Sequence, residues 1–453
     1  MIRTAPGRLP IVGHIFAYAR DPLGFLSRCH RLGPYVAFHF GRVHAVMLTE
    51  PELIEEVFVT KAKHFGKDVY AQDLKQVLGE GLLTSEGDFW LRQRRLAQPA
   101  FHKERINGYG RVMIGCAEAE HARWRDGEER DIHADMMRCT LEIVGKTLFG
   151  ANVVDQANDI AEGLEATMER YTDPIAMGVP HWDKLPTPLN RRFKRGVGRI
   201  DHIIRKLIVD HRAGKVGDKN DLLSMLLAAR DEDGSGMSDQ QLRDEVITLI
   251  LAGHETTAIN LSWTWMLLAQ NPAVRAKLEE ELDRVLGGRA PTVADFPKLE
   301  YADRVIKESL RLYPPAWSTG RQALVDTTVG AIPLKKGEQV WMIPWAMHRD
   351  PRWFSNPDRF DPDRWAGDFQ KTIPRYAYSP FGGGPRMCIG HAFATMEAVL
   401  LLASFARVYR ANLVPSHKIE AAPAITLRPK HGIRVRLERR VQPASGDSLP
   451  GYP

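Results

Sequence analysis

The sequence predicts a mainly α-helical protein with small β-sheets, an α+β chain that forms one domain from residue 1 to 440. Three observations predict it. Helical periodicity dominates from Asp88 into the 280s. Short strand-like runs lie near both ends of the chain, so the helices between them belong to one interwoven body. One helical pattern, Ser238 to Gln270, is long enough to cross that body, at about 1.5 Å of rise per residue. No internal repeat or long linker divides the chain.

Taken in order, Tyr35-Val-Ala-Phe-His-Phe-Gly41 and Ala45-Val-Met-Leu48 read as two strands joined by a turn at Gly41-Arg42. A helix follows over Pro51 to Thr60, opened by its proline. The helical region is broken by the Pro-rich stretch Pro174 to Pro188. Ser238, with Gln241 three residues on, forms a capping box at the start of the long helix. Asn271-Pro272 ends that helix and opens the next. Val325 to Trp345 reads as short strands. A helical pattern then covers His391 to Leu402. Ile425-Thr-Leu427 and Ile433-Arg-Val-Arg-Leu437 read as strands about a turn at Pro429 to Gly432. Val441 to Pro453 reads as a disordered tail.

Composition bounds the partners. With 62 basic and 56 acidic residues the net charge is +6, mild for 453 residues. That argues against nucleic acid as the main partner and allows a local basic patch for an acidic protein. No apolar run approaches the ~18 residues of a membrane-spanning helix, and Met1 to Gly13 has no signal-peptide core. The expected location is the cytoplasm. Cys29, Cys116, Cys139 and Cys388 lie far apart and match no paired zinc spacing.

The most specific stretch is Phe381-Gly-Gly-Gly-Pro-Arg-Met-Cys-Ile-Gly390. It places Cys388 at the end of a glycine-rich turn, just before a helix N-terminus whose free N–H groups favour a thiolate. The glycines let backbone lie close against a large flat body. Arg386 can reach an anionic group on its rim. A planar metal cofactor that takes one soft axial ligand and carries edge carboxylates, haem, meets these demands. A buried structural cysteine in a tight loop is the competing reading. The spacing Phe-x-x-Gly-x-Arg-x-Cys-x-Gly resembles the haem-binding loop of the cytochrome P-450 family at every defining position.

Four further segments carry the resemblance, in order along the chain. Trp90-Leu-Arg-Gln-Arg94 places Trp90 and Arg94 on one helix face, similar to the pair that holds a haem propionate. Ala252-Gly-His-Glu-Thr-Thr257 resembles the oxygen-activation segment, with Glu255 as acid and Thr256 as alcohol. A notch for helix packing, with Thr bonded back to its own carbonyls, is the alternative for those residues. Glu308-Ser-Leu-Arg311 resembles the family's helical pair, and Pro362-Asp-Arg364-Trp365 the segment that completes a Glu308–Arg311–Arg364 network beneath the cysteine loop. Trp365 stands where many relatives have Phe. Arg321 resembles a further propionate arginine, with a solvated surface charge as its alternative.

The resemblance runs from Pro6 to Arg440. It implies the cytochrome P-450 fold, with the long helix over thiolate-ligated haem b (iron protoporphyrin IX) and Cys388 as the metal ligand. Phe381, Gly384, Arg386 and Gly390 join Trp90, Arg94 and Arg321 in holding the cofactor. The implied reaction inserts one oxygen atom from O₂ into a lipophilic molecule such as a fatty acid, terpene or steroid. Electrons come from a separate ferredoxin- or flavodoxin-type donor with its reductase, serving a monomer. The resemblance also implies pocket residues at Val69, Tyr70, Leu74, Met177, Trp182, Leu251, Ala252, Ala316, Trp317 and Ile425. Lys67 nearby reads as a surface lysine. A peroxygenase or isomerase and a non-catalytic haem-carrying binder are the rival functions. The intact Ala252–Thr257 segment speaks against both, since binding alone gives no reason to bury an acid–alcohol pair.

Overall fold

The computed structural model describes residues 2–41, 43–151, 156–172, 184–215, 221–230 and 234–441. The strands are β1 (Arg3–Thr4), β2 (Tyr35–Phe40), β3 (Val43–Leu48), β4 (Phe65–Lys67), β5 (Glu129–Asp131), β6 (Thr319–Ala323), β7 (Thr327–Val329), β8 (Ile332–Leu334), β9 (Gln339–Met342), β10 (Tyr409–Leu413), β11 (Ala421–Pro423), β12 (Leu427–Pro429) and β13 (Arg434–Arg439). They form one six-stranded sheet in the order β1-β2-β3-β9-β6-β4, a three-stranded sheet β10-β13-β5, and the hairpins β7-β8 and β11-β12. In the large sheet β3 runs parallel to β9, and Ala45 pairs with Gln339. The first strands of the chain therefore share a sheet with strands made much later, as the interwoven reading expects.

The central helix, Asp239–Gln270, has the anticipated capping box. Gln241 N donates to Ser238 Oγ at 3.2 Å, and Ser238 N donates to Gln241 Oε1 at 2.7 Å. Nearly every side chain from Leu242 to Leu268 is buried. A helix buried all round belongs in the middle of a large core. Helix Ile132–Leu148 packs along it. There a Cβ on Gly253 would lie 3.2 Å from Val144, so this glycine is the packing notch between the two helices. Helix His391–Ala406, largely apolar, also packs against the central helix.

Three elements differ from expectation. Pro51–Thr60 is helical, but Glu56–Thr60 is wound as a π turn. Ile425 to Thr426 is no strand: the chain reverses there, with Ala424 N donating to Thr426 O at 3.1 Å, and β12 begins at Leu427. β5 interrupts the helical region because it pairs with β13, a partner some 300 residues away that no local pattern reveals. Residues 442–453 and the Pro174–Trp182 part of the Pro-rich stretch, Met177 included, lie outside the described residues. Among the described residues, no helix is long and apolar enough to cross a membrane.

Candidate active site around Cys388

The turn before Cys388 is closed by its own backbone. Cys388 N donates to Phe381 O at 3.0 Å and Met387 N to Gly384 O at 3.1 Å. Gly384 has φ +62, and a Cβ there would sit 1.8 Å from Phe58 O. A Cβ on Gly383 would fall 2.3 Å from the Tyr376 ring. Gly383 and Gly384 thus admit the protein's own tyrosine and backbone, while a Cβ on Gly382 would meet open space. Gly390 is the N-cap of helix His391–Ala406, and its N–H points at the Cys388 sulfur. Cys388 lies deep in the protein yet is exposed, so it fronts an internal cleft. Burial raises its pKa, opposed by the Gly390 N–H and by the Arg94 charge. The other three cysteines are buried.

Charged groups gather beside this cleft. Arg386 pairs with Glu86, donates to Ser85 O at 2.9 Å, and stacks 3.9 Å above the Trp90 ring. Trp90 therefore supports Arg386 with its face. Arg94, one turn on, donates to Met387 O at 2.9 Å, tying helix Gly87–Ala97 to the cysteine loop. Arg321 on β6 is 9% exposed, which removes the surface-charge reading. Lys67 is no surface lysine either. Its amine is buried among Arg321, Arg386, Glu86 and Asp68, and burial with the two neighbouring arginines lowers its pKa to about 7. Lys67, Arg94, Arg321 and Arg386 thus outnumber the carboxylates Asp68 and Glu86, leaving positive charges in excess. Two edge carboxylates would balance them. Haem b carries two, so the charge of the site fits the cofactor.

On the central helix Leu251, Ala252 and Thr256 are the only residues of the stretch 250–260 besides Gly253 that are not buried. Thr256 Oγ1 donates to Ala252 O at 2.8 Å, the back-bonded state. Glu255 is 3% exposed and accepts from Thr426 Oγ1 at 2.5 Å and Arg428 Nε at 2.6 Å. Neither partner was legible in the sequence. Trp317 is 4% exposed and packs in the core of the large sheet, its indole N–H donating to Ala424 O at 2.9 Å. It is thereby withdrawn from the predicted pocket. Tyr70 leans its ring on Trp341 of the same cluster. Val69, Leu74, Leu251 and Ile425 are half-buried, while Ala252 and Ala316 are exposed.

Beneath the loop, Glu308 and Arg311 are 0% exposed. Arg311 spends all five N–H donors: two on Glu308 and one each on the carbonyls of His348, Pro357 and Arg359. Arg364 Nε reaches Glu308 Oε1 at 3.0 Å, as anticipated. Trp365 adds an unforeseen donor, its indole N–H lying 2.9 Å from Glu308 Oε2. A phenylalanine there would forgo it.

A separate cavity of about 1460 Å³ opens beside the cysteine loop, lined in part by Phe381, Met387 and His391. Cys388 and Thr256 do not line it. Its walls carry Lys103, Arg111, Lys307 and Arg375 against Asp303.

Glu397, on helix His391–Ala406, is 0% exposed, and burial, opposed by the Thr257 side chain, raises its pKa to about 8. A carboxyl that stays protonated in the fold to about pH 8, and ionises near 4.5 when unfolded, weakens the fold as pH rises between those values. Glu397→Gln keeps the shape and removes the titration. The variant should be more stable than the parent at pH 8 by about 2–4 kcal/mol, with little difference near pH 4.5. Thermal midpoints measured across that range test this; parallel curves for the two proteins refute it.

Comparison with known proteins agrees with the geometry. The family model for cytochrome P-450 matches residues 4–435. The chain belongs to the cytochrome P-450 family. It is 40% identical over 432 residues to cyclooctatin synthase of Streptomyces melanosporofaciens, covering 94% of this chain and 93% of that protein. Pentalenene oxygenase of Streptomyces avermitilis is 34% identical over 441 residues, covering 96% and 97%. Cyclooctat-9-en-7-ol 5-monooxygenase of S. melanosporofaciens is 36% identical over 421 residues, covering 91% and 90%. The chain is therefore a haem-thiolate monooxygenase that binds haem b, uses O₂ and lipophilic substrates, and takes electrons from redox partner proteins. As a cytochrome P-450 it matches the fold class expected from its sequence.

Proposed function

We propose that this cytochrome P-450 hydroxylates or epoxidises a terpenoid hydrocarbon. The single observation that carries this reading is the cluster of relatives: three proteins aligned over nearly their full length are named for cyclooctatin, pentalenene and cyclooctat-9-en-7-ol. Residues 1–440 act as one domain, in keeping with the β3–β9 and β5–β13 pairings. The chain works as a cytoplasmic monomer. Cys388 binds the haem iron, while Arg94, Arg386, Arg321 and Lys67, backed by Trp90, take the two haem carboxylates. Bound there, haem would supply the redox chemistry of O₂ cleavage, with the Cys388 thiolate as its electron-rich ligand. The protein's own work is to seat the substrate, exclude water and deliver protons. Leu251, Ala252 and the half-buried residues Val69, Leu74 and Ile425 make an apolar wall for the substrate. Thr256 would exchange its bond to Ala252 O for proton donation toward the cofactor side of the helix, and Glu255 would resupply that proton. The electron donor, a ferredoxin or flavodoxin, docks at the cation-rich cavity beside the cysteine loop, where an acidic surface is favoured.

A panel of terpenoid hydrocarbons, screened by displacement of the iron-bound water, identifies the substrate. Turnover is then followed with a ferredoxin and a flavodoxin supplied in turn. Thr256→Ala should still consume reductant and O₂, but yield several-fold less product per reductant and more peroxide. Thr257→Ala should be milder, because the next residue points about 100° away around the helix. Unchanged coupling in Thr256→Ala would remove that residue from the mechanism. No oxygenated product from any panel member with either donor would overturn the substrate and donor reading.

A further inference from the structure

The central helix and helix His391–Ala406 carry three carboxyl groups that are 3% exposed or less: Glu245, Glu255 and Glu397. Glu245 and Glu397 have no cation bonded to them among the described residues, and burial raises both pKa values to about 8. Glu255 differs, because a guanidinium is bonded to it. Arg428 Nε lies 2.6 Å from Oε1, and Thr426 Oγ1 donates to the same oxygen. The other basic groups near Glu255 are His254 on its own helix and His133 on helix Ile132–Leu148. Burial lowers both to about 4, so they stay neutral. Arg428 is thus the cation that faces this acid.

The partners are held in place from outside the helix. Arg428 sits mid-strand in β12, opposite Ala422 of β11. The hairpin is pinned on both sides of Thr426: Trp317 Nε1 donates to Ala424 O at 2.9 Å, and Trp263 Nε1 to Leu427 O at 2.9 Å. Leu427 N also reaches Pro315 O at 3.0 Å. Arg428 Nη2 is buried without a hydrogen-bond partner, so the guanidinium keeps a spare donor beside the acid.

We propose that Thr426 and Arg428 are positioning residues for proton delivery, holding the Glu255 carboxyl group with one oxygen committed to the β11–β12 hairpin. This rests on the reading that Glu255 and Thr256 handle protons. A buried acid left without a cation stays protonated, as Glu397 does, and cannot cycle between accepting and giving a proton at neutral pH. Arg428 gives this buried acid the cationic partner that Glu245 and Glu397 lack, and with Thr426 fixes its orientation next to Thr256 in the helix. Ile425 on the same hairpin faces the substrate side in the reading above, so the element that touches substrate also sets the acid.

The test compares haem-loaded Arg428→Ala, Arg428→Lys and Thr426→Val with Glu255→Gln and Thr256→Ala. The first readout is the infrared carbonyl band of a protonated carboxylic acid in the resting protein at pH 7. Arg428→Ala should gain such a band, and the Arg428→Ala/Glu255→Gln double variant should lose it. The second is product per reductant, which should fall several-fold in Arg428→Ala, less in Thr426→Val, and recover in Arg428→Lys. Should Arg428→Ala fold too poorly to load haem, the same two readouts in Arg428→Gln decide, with Arg428→Lys as the control expected to match the parent. If Glu255→Gln and Thr256→Ala uncouple while Arg428→Ala shows no new band and normal coupling, this inference falls and the parent reading stands. If Glu255→Gln and Thr256→Ala both remain coupled, both fall.

Discussion

Cys388→Ala should abolish the strongly red-shifted Soret band that the reduced protein shows with carbon monoxide, and with it all turnover. The other three cysteines should be dispensable for that band. Cys29 and Cys116 are buried in apolar clusters, where burial pushes their thiols up to about 12, and Cys139 is raised further. A thiol so disfavoured as thiolate is a poor metal ligand. Cys388 alone is exposed, fronts the cleft, and has a backbone N–H and a guanidinium directed at its sulfur. Spectra of the four single alanine variants decide the matter. Retention of the shifted band in Cys388→Ala would place the ligand elsewhere.

Glu308→Ala should give a chain that accumulates poorly and holds little haem. The substitution strands the Arg311 guanidinium, fully buried, with two of its five donors unpaired, and removes the acceptor of Arg364, Trp365 and the Asp361 N–H. Removing one partner of a buried ion pair costs about 3–5 kcal/mol, a large share of the stability of any domain. Arg311→Ala should cost as much by stranding the carboxylate. Trp365→Phe is the graded control: it loses one donor to a charged acceptor, about 1.5–3 kcal/mol, and should keep its haem. Haem content by absorbance and the thermal midpoint are the measurements. Full occupancy and an unchanged midpoint in Glu308→Ala would mean the network is not structural.

Much of the site was readable because its signals are local. The Ser238–Gln241 cap and the Glu308–Arg311 pair lie three residues apart on a helix, and the cysteine loop is ten consecutive residues. What the sequence hid depends on distant chain. Nothing near Lys67 says that Arg321, Arg386 and Glu86 converge on it. Nothing near Trp365 says that its indole meets Glu308. The glycines of the loop could be read as special, but their neighbours, Phe58 and Tyr376, come from elsewhere in the fold. Trp317 was assigned to the pocket because its segment is apolar; the carbonyl of Ala424 and the core of the large sheet claimed it. Arg428 could not be matched to Glu255 by pattern, since β12 was itself placed two residues early.

The large sheet has one more consequence, for synthesis in the cell. β3 leaves the ribosome early, but its parallel partner β9 emerges only after the chain from Leu48 to Gln339 has been made. At about 5–20 residues per second that wait is on the order of 15–60 s. Through it the edge of Val43–Leu48 stands with unsatisfied backbone donors and acceptors and an apolar face, a template for pairing with another nascent chain. The period of greatest aggregation hazard is therefore set by the strand order β3-β9, before Cys388 has been translated and before any cofactor can assist.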